Sequence, residues 1–129
     1  MAPITENQLS HAIIGAAIEV HKELGGPGLL ESIYEEALCV ELEQHHLLVQ
    51  RQLEIPVYYK GKILEKNYRL DLLIGDLVVV ECKAVEAIAP IHLAQCLTQL
   101  KITRKKLGLV INFGEKYVKN GIHRVVNGL

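Results

Sequence analysis

From Asn7 to Leu24 the apolar residues Leu9, Ala12, Ile13, Ala16, Val20 and Leu24 recur at the three-and-four spacing of one helix face. Gly25-Gly26-Pro27-Gly28 then stops the helix. A second helix is predicted from about Leu29 to His46, with Leu30, Ile33, Tyr34, Ala37, Leu38 and Leu42 as its apolar positions. From Leu48 the period shortens to two. Val49, Arg51, Leu53, Ile55, Val57 and Tyr59 alternate with their neighbours, which predicts a strand with Pro56 at an edge or a bulge. Lys60-Gly61 reads as a turn, about Ile63 to Ile74 as a second strand, and Gly75-Asp76 as a hairpin turn. Leu77 to Lys83 is apolar on both faces and predicts a central strand. Pro90 opens a third helix to about Lys106; Leu107 to Phe113 is another buried strand, and Ile122 to Val126 a short last one. The order ααβββαββ describes an α/β sheet with helices packed on it, as a single domain over residues 1–129.

Composition adds limits. Half of the 129 residues are hydrophobic, enough for one core, and no apolar run approaches the length of a membrane span. The first residues, Met1 to Glu6, lack the basic and apolar segments of a signal peptide. Three widely spaced cysteines, Cys39, Cys82 and Cys96, make no metal pair and no disulfide framework, so free thiols in a reducing cytoplasm are expected. Net charge is −1, but residues 1–50 hold eight acidic side chains against Lys22 alone. Residues 101–129 hold seven basic ones against Glu115 alone. That asymmetry fits either a surface for a polyanion or an ordinary solvated face.

The chemistry is concentrated in the central strand. Glu81 and Lys83 follow four apolar residues, and alternation puts both on one face. Charges there are costly unless paired or metal-bound, so a buried ion pair and a metal site both stand. Asp71 interrupts the apolar run of the preceding strand. A plain two-residue turn at Gly75-Asp76 would set Asp71 opposite Val80, on the face away from Glu81. A three-residue loop or a bulge would pair Asp71 with Glu81, on one face with Lys83. Two carboxylates at close range call for a hard cation, Mg²⁺ or Mn²⁺. Glu31 opens the second helix, where either a ligand role or the helix dipole accounts for it. Gln95 lies between His92 and Gln99 in a polar stripe on the third helix, opposite Ile91, Leu97 and Ile102. A solvated face and a face turned to a cleft both fit it. Other systems are weak. His45-His46 lacks i,i+4 ligand spacing, no Ser or Cys sits in a nucleophile motif, and Gly25 to Gly28 lacks the Lys of a phosphate loop.

Gly28-Leu29-Leu30-Glu31-Ser32-Ile33-Tyr34, then Asp71, Glu81-Cys82-Lys83 and Gln95, resembles the GxxExxY proteins of the PD-(D/E)XK nuclease-like superfamily. The resemblance runs from the first helix through Ile111-Asn112-Phe113-Gly114 to the terminal Ile122 to Val126 segment. It implies a restriction-endonuclease-like core, a mixed sheet flanked by helices, and phosphodiester hydrolysis with Mg²⁺ or Mn²⁺. Asp71 and Glu81 would be metal ligands, with the carbonyl of Cys82 and with Glu31 of the first motif. Lys83 would be the motif lysine and Gln95 the helix glutamine. Related nucleases often carry tyrosine four residues after that glutamine, where this chain has Gln99. The implied partner is nucleic acid, DNA before RNA, and a homodimer is compatible with so small a domain. Three readings stay open: a nuclease, a non-catalytic nucleic-acid or protein interaction module on the same fold, and an enzyme acting on another phosphate-containing substrate, such as a nucleotide.

Overall fold

The computed structural model describes residues 3–129. Among the described residues three α-helices, α1 (Glu6–Glu23), α2 (Glu31–Gln44) and α3 (Pro90–Thr103), surround seven strands. These are β1 (Val49–Ile55), β2 (Tyr58–Tyr59), β3 (Lys62–Ile63), β4 (Tyr68–Ile74), β5 (Val78–Lys83), β6 (Leu107–Asn112) and β7 (Ile122–Val126). The main sheet has the order β1-β4-β5-β6-β7, with β5 in the middle as its apolar run requires. Only β5 and β6 run parallel, joined by the crossover through α3, so the sheet is mixed.

Helices pack on both faces of the sheet. Leu9, Ile13 and Val20 of α1 and Leu38 and Leu42 of α2 pack on Leu72, Ile74, Val78, Val80 and Leu109. On the other face Leu100 of α3 packs with Leu70, Leu73 and Val79. The helices begin and end where local chemistry allows. Thr5 Oγ1 accepts from Gln8 N at 3.2 Å while Gln8 Oε1 accepts from Thr5 N at 2.9 Å, which satisfies donors at both ends of the first turn of α1. Gly25 and Gly26 then turn left-handed, at φ 91° and 107°, and Gly26 N donates back to His21 O. Pro90 begins α3, and Arg104 closes it at φ 58°.

The expected strands over residues 48–59 and 63–74 are each broken. Pro56 has no amide hydrogen to continue the ladder, so β1 stops at Ile55. Tyr58–Tyr59 and Lys62–Ile63 instead pair as a separate two-stranded hairpin around Lys60-Gly61. The expected order ααβββαββ therefore gains that hairpin between its first two sheet strands. The stripe on α3 is also rotated from expectation. Gln99 is buried beside Cys96 and Leu100, whereas Ile91 is 58% exposed.

Candidate active site

The turn between β4 and β5 decides what can meet. Gly75 and Asp76 both have φ of 59°, and Leu77 N donates to Ile74 O, so they form a mirror-image turn. Leu77 is the extra residue, because Ile74 pairs with Val78. Three residues thus lie between the paired positions, and the register Ile74–Val78, Leu73–Val79, Leu72–Val80 points Asp71 at Glu81.

The pairing then ends, and the two strands splay. Across β1, the register runs Arg51–Leu72 and Leu53–Leu70 but skips Gln52 opposite Asp71, and Gln52 is left-handed at φ 51°. Asp71 therefore sits where both neighbouring ladders fail. Side-chain alternation breaks there too, since Leu72 and Ile74 join the α1/α2 core but Leu70 joins the α3 core. In place of a main-chain acceptor, Cys82 N donates to Asp71 Oδ2 at 3.1 Å. A strand residue turns its N–H and C=O to the same side, so the Cys82 carbonyl faces this fork as well. The next carbonyl, that of Lys83, points the other way and accepts from Phe113 N. The Cys82 side chain is fully buried in the α1/α2 core, as alternation predicts.

Glu81 is buried on the α3 side, with Lys83 Nζ 4.0 Å from its Oε2. Burial, then the charge of Asp71, push the Glu81 carboxyl up to about 7, against the pull of Lys83 and of a hydrogen bond from Gln99. Asp71 is also raised, chiefly by burial, and the two carboxyls lie within hydrogen-bonding reach of each other. Glu31, at the start of α2, joins the same field. It is raised by partial burial and by Asp71 and Glu35, against Lys83 and the Ala84 N–H. The structure thus brings Asp71, Glu81 and Lys83 together at one fork, with the Cys82 carbonyl turned toward it, and leaves Glu31 at the margin, within reach of the charges of Lys83 and Asp71.

Gln95 does not reach the carboxylates. It is exposed on α3, one turn before Gln99, in a small hollow with Tyr68 and Ile91. Gln99 is the glutamine that bears on Glu81, lowering its carboxyl, and its Nε2 donates to Tyr68 Oη at 2.7 Å. Two further residues were not singled out in the sequence. Glu35, buried, accepts from Arg51 Nε at 2.8 Å and from Gln52 Nε2 at 2.9 Å, which holds the left-handed Gln52 against its neighbour on α2. Its spacing of four from Glu31 was the signal. Asn112, fully buried, grips the main chain just after Lys83: its Oδ1 accepts from Val85 N and Gly114 N, and its Nδ2 donates to Val85 O. A polar residue in the apolar run Leu107 to Phe113 was as anomalous as Glu81 in its own strand.

The glycine-to-tyrosine segment has a structural explanation. Tyr34 Oη donates to Gly26 O at 2.6 Å and accepts from Leu29 N at 3.1 Å, closing the loop that delivers Glu31. Its ring stacks on Phe113 at 4.8 Å. The three thiols are not nucleophiles: all are buried, which pushes Cys39 up to about 11, Cys96 up to about 12 and Cys82 well above its usual value.

These shifts carry a sign. The folded Glu81 holds its proton up to about pH 7, the unfolded one only to its usual value of 4.5. The folded state therefore binds more protons between those limits, and stability falls as pH rises through that window. At 1.36 kcal/mol per unit the penalty at neutral pH is about 3 kcal/mol. Urea titrations from pH 4 to 8 without metal should show that fall, and Glu81→Gln should flatten most of it. An equal slope in the variant would refute the assignment.

The donor set suits a divalent metal of the hard kind. Two buried carboxylates, of which Asp71 raises Glu81, a third carboxylate nearby and a main-chain carbonyl offer oxygen alone. Among the described residues no three His, Cys, Asp or Glu side chains converge as a ready cage. No helix among the described residues is long and apolar enough to cross a membrane. A family model described as PD-(D/E)XK nuclease superfamily matches residues 7–125. No curated protein and no solved structure matches the chain.

Proposed function

The chain belongs to the PD-(D/E)XK nuclease superfamily, and from that premise we propose that its fork hydrolyses phosphodiester bonds of nucleic acid with Mg²⁺ or Mn²⁺, DNA being the substrate to test first. The observation that carries the reading is the meeting of Asp71, Glu81 and Lys83 where β4 and β5 part. A structural ion pair needs one carboxylate for one lysine, whereas here a second carboxylate raises the first.

Asp71, Glu81 and the Cys82 carbonyl would hold the cation, with Glu31 completing the set directly or through water. The cation supplies Lewis-acid polarisation of a phosphoryl oxygen and of the attacking water. Lys83 sets its positive charge where negative charge develops on the phosphoryl group, or orients the water. Gln99, tied to Tyr68, stabilises the charged Glu81 carboxylate from the α3 side. Asn112 holds the chain after Lys83, so the ammonium starts from a fixed backbone.

The direct test is cleavage of labelled single-stranded, duplex and branched DNA, and of RNA, with Mg²⁺ or Mn²⁺ against EDTA. Metal-dependent cleavage that is lost in Lys83→Ala supports the reading. Binding without cleavage would support the interaction module, and cleavage of free nucleotides alone would support the nucleotide enzyme.

Metal binding can be read without turnover. Mn²⁺ at ten times its dissociation constant should stabilise the protein by about 1.4 kcal/mol. The effect should strengthen from pH 6 to pH 8, because protons compete for Glu81, held up to about 7. Asp71→Asn should remove it. A thermal shift unchanged in that variant would place the cation elsewhere.

A further inference from the structure

The fork is small, and α3 leaves part of its face of the sheet uncovered. A hollow of about 620 Å³ opens there, floored by the half-buried Leu53 and Ile55, with Leu70 and Leu73 buried beneath them. Lys101, Arg104 and Lys105, from the end of α3 and just beyond it, form one rim, and Tyr58 of the small hairpin stands at the other end. Lys105 is partly engaged by Asp76 at 3.4 Å. Lys101 and Arg104 are exposed.

The hairpin is unlike the rest of the surface. Tyr58, Tyr59 and Ile63 are 66%, 61% and 60% exposed, far outside any core. Tyr58 pairs with Ile63 and Tyr59 with Lys62, so one face of the hairpin is apolar and the other carries cation beside aromatic. Lys60 Nζ lies 5.4 Å from the Tyr59 ring centre. Residues 56–67 hold Lys60, Lys62 and Lys66 against Glu65 alone. The hairpin leaves β1 after Ile55 and re-enters β4 at Tyr68, whose hydroxyl is bonded to Gln99 beside Glu81. It therefore rises from the end of the sheet that holds the fork.

An apolar floor with a cationic rim on one side and a tyrosine at its end suits a polyanion that exposes flat apolar faces. Duplex nucleic acid does not, because its bases are stacked inside. A single strand does, with phosphates toward the lysines and bases on the tyrosine and the aliphatic floor. We infer that the hollow and the β2–β3 hairpin form a track for a single-stranded nucleic-acid segment leading to the fork. The inference deepens the nuclease reading and rests on it for the polymer's identity.

The test measures binding rather than cleavage. Labelled oligonucleotides of about 12 nucleotides, single-stranded DNA, single-stranded RNA and duplex DNA, are titrated by fluorescence anisotropy in EDTA. The full chain should prefer a single strand to duplex, and the DNA and RNA arms show which sugar it takes. Tyr58→Ala and the Lys101→Glu/Arg104→Glu pair should each weaken single-strand binding at least about fivefold, and the charge pair should also flatten the salt dependence. All these side chains are exposed, and circular dichroism verifies that the variants fold. Unchanged affinity in both groove variants, or a preference for duplex, would overturn the track. So would a dimer, seen by light scattering, that Tyr58→Ala dissociates. Metal-dependent cleavage that survives unchanged groove binding would leave the nuclease reading standing and remove only the track. Groove-dependent binding with no cleavage would do the reverse.

Discussion

Asp71→Asn and Lys83→Ala should each lower metal-dependent turnover by about 10³-fold or more, roughly 4 kcal/mol in barrier. The reasons differ. Asn keeps an oxygen for the Cys82 amide, which Asp71 accepts at 3.1 Å, but removes the charge that a cation needs. It also relieves the repulsion that raises Glu81. The variant should therefore be as stable as the parent without metal, or more so. Lys83→Ala removes the cation 4.0 Å from Glu81 and should drive that carboxyl further up. Single-turnover rates at saturating Mg²⁺, with urea midpoints on the same samples, separate chemistry from folding. Full Mg²⁺-dependent cleavage in both variants would end the assignment. Glu31→Gln should cost less, since Glu31 is exposed and stands at the margin of the set.

The largest loss of stability should come from Tyr34→Ala, about 4 kcal/mol by comparison with other buried aromatic truncations. Tyr34 is fully buried, stacks on Phe113, and uses both sides of its hydroxyl on the Gly26 to Leu29 loop. Tyr34→Phe keeps the ring and leaves the Gly26 carbonyl and the Leu29 amide without it, so it should cost about 1–3 kcal/mol. The two variants compared by urea unfolding separate stacking from loop closure. If Tyr34→Phe were as costly as Tyr34→Ala, the loop and not the ring would be what Tyr34 secures. Because that loop leads directly into Glu31, Tyr34→Phe should also weaken Mn²⁺ binding while Tyr58→Ala does not.

Much of this was legible in the chain. Periodicity placed all three helices and the central strand within a few residues, because each buries one continuous apolar face or run. The anomaly of Glu81 and Lys83 in an apolar strand pointed to the site, and counting across Gly75 and Asp76 defined the turn that would bring Asp71 to it. The structure has that turn. What could not be read depends on partners distant in sequence. Gln99 looked like surface until Tyr68, 31 residues away, supplied a hydroxyl for its amide. Gln52 gave no sign of a left-handed backbone, a conformation expected of glycine or asparagine, because Glu35 on another element holds it there. Pro56 was read as an edge or bulge residue, and it instead releases the chain from the sheet to make the hairpin.

The order in which the chain leaves the ribosome has a bearing on the Asn112 clamp. Every acidic member of the fork, and Lys83, is translated by residue 83, yet the strand that frames them is not. The parallel neighbour of β5 begins at Leu107, and the side chain that grips Val85 comes at Asn112. A nascent chain stopped short of β6 would carry all the reactive groups with no partner on one side of β5 and nothing to hold the turn after Lys83. Long-range pairing of this kind forms late. Synthesis thus supplies the chemical groups of the fork first and its geometry last, so the proposed hydrolysis would have to wait until β6 is made.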